Sequence, residues 1–71
     1  MTEQILFDNL GKKIKEFRKE NKLKQWELAE RCNFQKATMS KIESGNSNLR
    51  ILTLKKISDC LNIELEKFFV N

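Results

Sequence analysis

From Phe7 to Phe69 the apolar residues return at intervals of three and four, and nowhere do they alternate with polar residues for long enough to line a strand face. That period belongs to helices that bury one stripe, so the chain is expected to be all α. With 71 residues it can hold only one core, which the helices must build by packing on one another. No proline marks a linker. The breaks are therefore expected at Asn21 with Lys22, at Asn33, and over Ser44 to Asn48.

Phe7, Leu10, Ile14 and Phe17 stand 3, 4 and 3 apart and predict a first helix ending near Asn21. Leu23, then Trp26, Leu28, Ala29 and Cys32, mark a short second helix, and Asn33 suits the left-handed residue of a helix end. Phe34, Met39 and Ile42 give the inward face of a third helix over about Lys36 to Ser44, stopped by Gly45. Ile51, Leu54, Ile57 and Leu61 predict a fourth helix with Asn62 at its exit, and Ile63, Leu65, Phe68 and Phe69 a short fifth. The expected architecture is a single domain over 1–71, a compact five-helix bundle.

Composition removes most chemistry. The chain has no His, two Cys far apart in sequence and only two glycines, so a zinc site, a Cys/His nucleophile pair and a glycine-rich phosphate loop are not expected. Ser40, Ser47 and Ser58 have no base partner of the usual kind, and neither an enzyme nor a cofactor is expected. No signal peptide and no apolar run of about 20 residues is present, which predicts a cytoplasmic protein with Cys32 and Cys60 as buried free thiols.

The net charge of +4 is unevenly spread. Residues 11–41 hold ten bases and four acids, residues 1–10 carry two acids, and residues 42–71 are balanced. A basic first half on so small a domain suits a polyanionic partner, because each Lys or Arg that meets a phosphate releases a condensed counterion. A solvated helix face would give the same count.

The second and third predicted helices, joined by a turn of three or four residues, have helix-turn-helix spacing, and the third has a small, polar outer face. The residue types match as well: Leu10-Gly11, Ile14, Arg18, Leu23, Gln25, Leu28-Ala29, Ile42-Glu43-Ser44-Gly45, Thr53-Leu54, Ile57 and Leu61. On these residues the chain from 10 to 69 resembles the phage-repressor and Cro type of helix-turn-helix domain, the Xre family, with its lambda-repressor-like bundle.

The resemblance implies a sequence-specific transcriptional regulator, a prophage repressor, a restriction-modification controller or an antitoxin, expected to bind double-stranded DNA as a homodimer on a palindromic operator and to repress; with no second domain to hold a ligand, no small-molecule effector is expected. It implies that Gln25 donates to a phosphate beside its helix N-terminus. Gln35, Lys36 and Ala37 would open the recognition helix toward base edges, Lys36 toward guanine and Ala37 toward a thymine methyl. Ser40 and Lys41 would lie one turn on, against base or phosphate, and the loop of Asn46, Ser47 and Asn48 would grip the sugar-phosphate chain. Arg18 and Glu43 would form a buried ion pair between the first and third helices.

The chain departs from the family pattern at four places. Lys24 and Gln35 stand where Ser or Thr usually caps a helix, Leu49 replaces a common proline, and Asn33 replaces a common glycine. Trp26 takes a position that is often polar, either covering the core edge, which is the expectation, or lying near the DNA backbone. Ile63, Leu65, Phe68, Phe69 and Val70 either supply a dimer surface or close the core. The competing reading is a protein-interaction module that keeps the fold without binding DNA, and acids on the outer face of the third helix would signal it. Positions 35–41 contain none.

Overall fold

The computed structural model describes residues 2–70; of the domain expected over 1–71, residues 1 and 71 lie outside the described residues. Among the described residues four α-helices follow in order, α1 (Glu3–Glu20), α2 (Gln25–Arg31), α3 (Lys36–Glu43) and α4 (Ile51–Leu61), and then a 3-10 helix (Leu65–Phe69). The expected fifth helix is therefore a single tight turn. It lies between the left-handed Asn62 and the extended Val70, and its five residues take the tighter 3-10 form common in such short pieces.

All four α-helices end the same way. A left-handed residue closes each, Lys22 at φ 58°, Asn33 at 59° and Gly45 at 80° just after the caps of α1 to α3, and the cap of α4 itself, Asn62, at 56°. The next amide then reaches back five residues: Leu23 to the Arg18 carbonyl, Phe34 to Ala29, Asn46 to Lys41 and Ile63 to Ser58, at 2.8–3.1 Å. These bonds satisfy carbonyls that a helix end leaves without partners. Glycine is used once, and Lys22 accepts a strain of about 1 kcal/mol for its side chain.

The helix starts are less uniform. Thr2 caps α1 by accepting from the Ile5 amide at 3.2 Å. Lys24 and Gln35 occupy the cap positions of α2 and α3, and neither side chain accepts a capping hydrogen bond there; lysine has no acceptor to offer. At α2 the Glu27 carboxylate compensates by accepting from the Lys24 amide at 2.8 Å, the return half of a capping box.

Leu10, Ile14, Leu23, Leu28, Ala29, Cys32, Met39, Ile42, Leu54, Ile57, Leu61 and Phe68 form one core. Phe68 closes it from the 3-10 helix, its ring edge-on to Phe17 with centroids 5.1 Å apart. The sequence-predicted faces need three corrections. Leu6, not Phe7, continues the core stripe of α1, and Phe7 lines a shallow cavity with Gln4 and the loop over 45–48. Trp26 is 49% exposed, because the inward positions of α2 are Leu28, Ala29 and Cys32 and a residue two before Leu28 points to the opposite side. Ile51 is 57% exposed, since no described element covers the first turn of α4, where Leu52 is also turned to solvent.

Candidate nucleic-acid interface

The outer face of α3 is set by what its inner face buries. Met39, Ile42 and Glu43 point inward, and the 3.6-residue period then turns Ala37 and Lys41 directly outward, with Thr38 and Ser40 on the flanks. Gln35, Lys36, Ala37, Thr38, Ser40 and Lys41 are all exposed. Among the described residues, no hydrogen bond or ion pair engages the side chains of Gln35, Lys36, Thr38, Ser40 or Lys41. The face presents two ammonium groups, two hydroxyls and an amide, without a carboxylate. Thr38 was missed in the sequence, although its place between Ala37 and Met39 on an outward arc was the signal that would have found it.

Behind this face lies a buried polar junction. Arg18 Nε stands 2.7 Å from Glu43 Oε2, and Arg18 Nη2 donates to Glu43 Oε1 at 3.1 Å, a two-point pair with both residues buried. The third guanidinium arm, Nη1, donates to the Leu23 carbonyl at 2.8 Å. Gln25 Nε2 donates to Glu43 Oε1 at 3.2 Å. The Glu43 carboxylate at the end of α3 thus holds α1 through Arg18 and the first residue of α2 through Gln25, while Arg18 also holds the turn before α2, which fixes the placement of α3 against α2.

Gln25 is consequently only half free. One hydrogen of its amide is spent on Glu43, and the other hydrogen and the carbonyl oxygen remain for an outside partner. Asn46 and Asn48 are exposed and Ser47 half-buried in the loop after α3, which begins at the left-handed Gly45. Gly11 lets α1 approach the end of α3 closely. A Cβ there would stand 2.6 Å from the Ile42 and Glu43 carbonyl oxygens, nearer than side-chain carbons come.

The five C-terminal candidates separate in the structure. Phe68 is in the core, Ile63 and Leu65 pack against it half-buried, and Phe69 and Val70 are exposed. Phe69 and Val70 rim a groove of about 220 Å³ with Leu6, Leu10 and Phe68. Cys32 is buried, its thiol pushed up to about 12 by desolvation first and by the neighbouring Cys60 second. Cys60 is half-buried and donates its thiol to the Arg31 carbonyl at 3.4 Å, and both cysteines are free. Among the described residues no cluster of metal-ligating side chains occurs, and no helix is long and apolar enough to cross a membrane.

Comparison with known proteins matches this geometry. A family described as helix-turn-helix matches residues 14–68. The immunity repressor protein of Bacillus phage phi105 is 36% identical over 56 residues, 79% of this chain, and the chain spans 39% of that protein's length. An HTH_3 family transcriptional regulator from Vibrio cholerae superposes with a TM-score of 0.89 at 29% identity, over 96% of this chain and 38% of that one. The restriction-modification controller protein C.AhdI from Aeromonas hydrophila shares the fold at a TM-score of 0.85 and 24% identity, over 89% of this chain and 96% of its own.

Proposed function

The chain belongs to the helix-turn-helix family, of the Xre type, and from that premise we propose that it is a sequence-specific DNA-binding transcriptional regulator. In this reading α3 enters the major groove and α2 crosses the backbone beside it. Lys36 donates to guanine O6 and N7, Ala37 meets a thymine methyl, and Ser40 and Lys41 reach base edges or phosphates further along. Gln25 supplies its free amide hydrogen to a phosphate, and the loop of Asn46, Ser47 and Asn48 holds the next stretch of backbone.

The observation that carries the reading is the outer face of α3: exposed, acid-free, with uncommitted polar side chains, on a helix pinned from behind by a buried ion pair. A face built to bind protein by burial would carry apolar anchors, and this one carries none larger than Ala37.

The regulator acts as a homodimer on an inverted repeat, because two such helices related by a twofold axis read half-sites about 34 Å apart and one domain alone buries too little for tight binding. The exposed Phe69 and Val70 beside the groove on α1 are the surface we assign to that contact. Repression is the proposed outcome, in keeping with the phage repressor it is similar to. Residues 1–71 form one DNA-binding domain in this account, working in the cytoplasm without catalysis, cofactor or effector.

Selection from a random duplex library tests it. Enrichment of an inverted repeat with half-site centres about 10 base pairs apart is expected. Recovery of unselected sequence would refute the specific reading.

A further inference from the structure

The first turns of α1 precede residues 14–68, the stretch matched by the family, yet they touch the end of α3. Gln4 Nε2 donates to the Gly45 carbonyl at 3.0 Å and to Asp8 Oδ1 at 2.9 Å, so both hydrogens of one amide are used in a bridge between α1 and the loop. Asp8 lies flat against Gly45: a Cβ on that glycine would stand 3.0 Å from Asp8 Cα and collide with Asp8 Oδ1. Gln4, Asp8, Gly11 and Arg18 fall within roughly a quarter of the helix circumference, and each of them meets the end of α3 or the turn that follows it.

The Gly45 carbonyl belongs to the peptide that leads into Asn46, so the orientation of that carbonyl sets the direction in which the loop leaves α3. We propose that Gln4, braced by Asp8, is a positioning residue that latches this peptide to α1 and so presents Asn46, Ser47 and Asn48 to the DNA backbone. The role rests on the DNA-binding reading above. It differs from that of the Arg18 and Glu43 pair, which holds the helix itself. The latch holds only what comes after it, and Gln4 itself is exposed and outside the core, so that its loss leaves the core untouched.

A double-mutant cycle tests the latch on a mixed-sequence duplex of about 20 base pairs at low salt, because contacts to the sugar-phosphate chain do not depend on sequence. Gln4→Met keeps the side-chain length and helix preference while removing both donors. It is expected to weaken binding on the order of fivefold, as one lost hydrogen bond does. In a background that already carries Asn46→Ala, Ser47→Ala and Asn48→Ala, Gln4→Met is expected to cost nothing more, because the groups it positions are gone. Asp8→Asn keeps an acceptor for the Gln4 amide and is expected to retain binding.

Thermal melting of every variant and amide exchange at Asn46 without DNA complete the test, with melting unchanged and exchange at Asn46 accelerated by Gln4→Met. Equal losses in both backgrounds, or an unchanged affinity and unchanged exchange in Gln4→Met, would overturn the latch while leaving the DNA-binding reading in place. Failure of the unmodified protein to bind any duplex would overturn that reading and the positioning role with it. The exchange at Asn46 would then still decide whether Gln4 orders the loop.

Discussion

Arg18 and Glu43 meet through two parallel contacts of 2.7 and 3.1 Å across the interface of α1 and α3, and the same carboxylate accepts from Gln25 at the start of α2. The pair is therefore the joint on which the placement of α3 against α2 depends. Removing one partner strands a buried charge, so Arg18→Met or Glu43→Gln is expected to cost about 3 to 5 kcal/mol in chemical denaturation. Replacing both, with Arg18→Met and Glu43→Leu together, is expected to recover most of that loss. Losses in the double variant equal to the sum of the singles would show that the two side chains act independently.

Gly11 marks the closest approach of α1 to α3. Because a methyl group there meets the Ile42 and Glu43 carbonyls at 2.6 Å, Gly11→Ala must push the helices apart, at a cost of about 1 to 3 kcal/mol despite the better helix propensity of alanine. Denaturant unfolding measures this directly. A stabilised variant would mean that α1 can shift without disturbing the ion pair.

Lys36 and Gln25 are expected to separate specificity from stability. Lys36 is exposed and unpartnered, so Lys36→Ala should leave melting unchanged and cost about 1 to 3 kcal/mol on the selected duplex, with little change on a scrambled one. Gln25→Ala removes a donor from Glu43 as well as one from phosphate, so it should weaken binding to both duplexes alike and lower melting slightly. Paired titrations and melts of the two variants give the comparison.

The Cys32 thiol, pushed up to about 12 in the folded chain from an ordinary value of 9.0, makes stability depend on alkaline pH. Its proton is held more tightly folded than unfolded, so the contribution is complete below pH 9 and declines as pH rises from there toward 12. Melting temperature should therefore fall more steeply between pH 9 and 11 in the unmodified protein than in Cys32→Ala. Prompt alkylation of Cys32 in the native protein at pH 8.5 would contradict the burial on which this rests.

How far the sequence could be read differed from residue to residue, for physical reasons. The punctuation at Lys22, Asn33, Gly45 and Asn62 was legible because a left-handed residue after a helix leaves a local signature. The ion pair was legible through the family pattern alone, since nothing in the spacing of Arg18 and Glu43 says that two residues 25 apart must meet. Trp26 and Ile51 misled because hydrophobicity alone does not say which side of a short helix finds cover. The contact of Gln4 with Gly45 had no signal in the sequence, as a single half-buried hydrogen bond between residues 41 apart carries neither periodicity nor unusual composition.

Sequence-specific DNA binding by a pair of these chains is tested by fluorescence anisotropy against the selected inverted repeat and a scrambled duplex, each across a salt series. Tighter binding to the repeat is expected at every salt concentration, with two chains per duplex and a linear fall of log affinity with log salt as counterions are released. Equal affinity for both duplexes, or no binding to either at low salt, would contradict it.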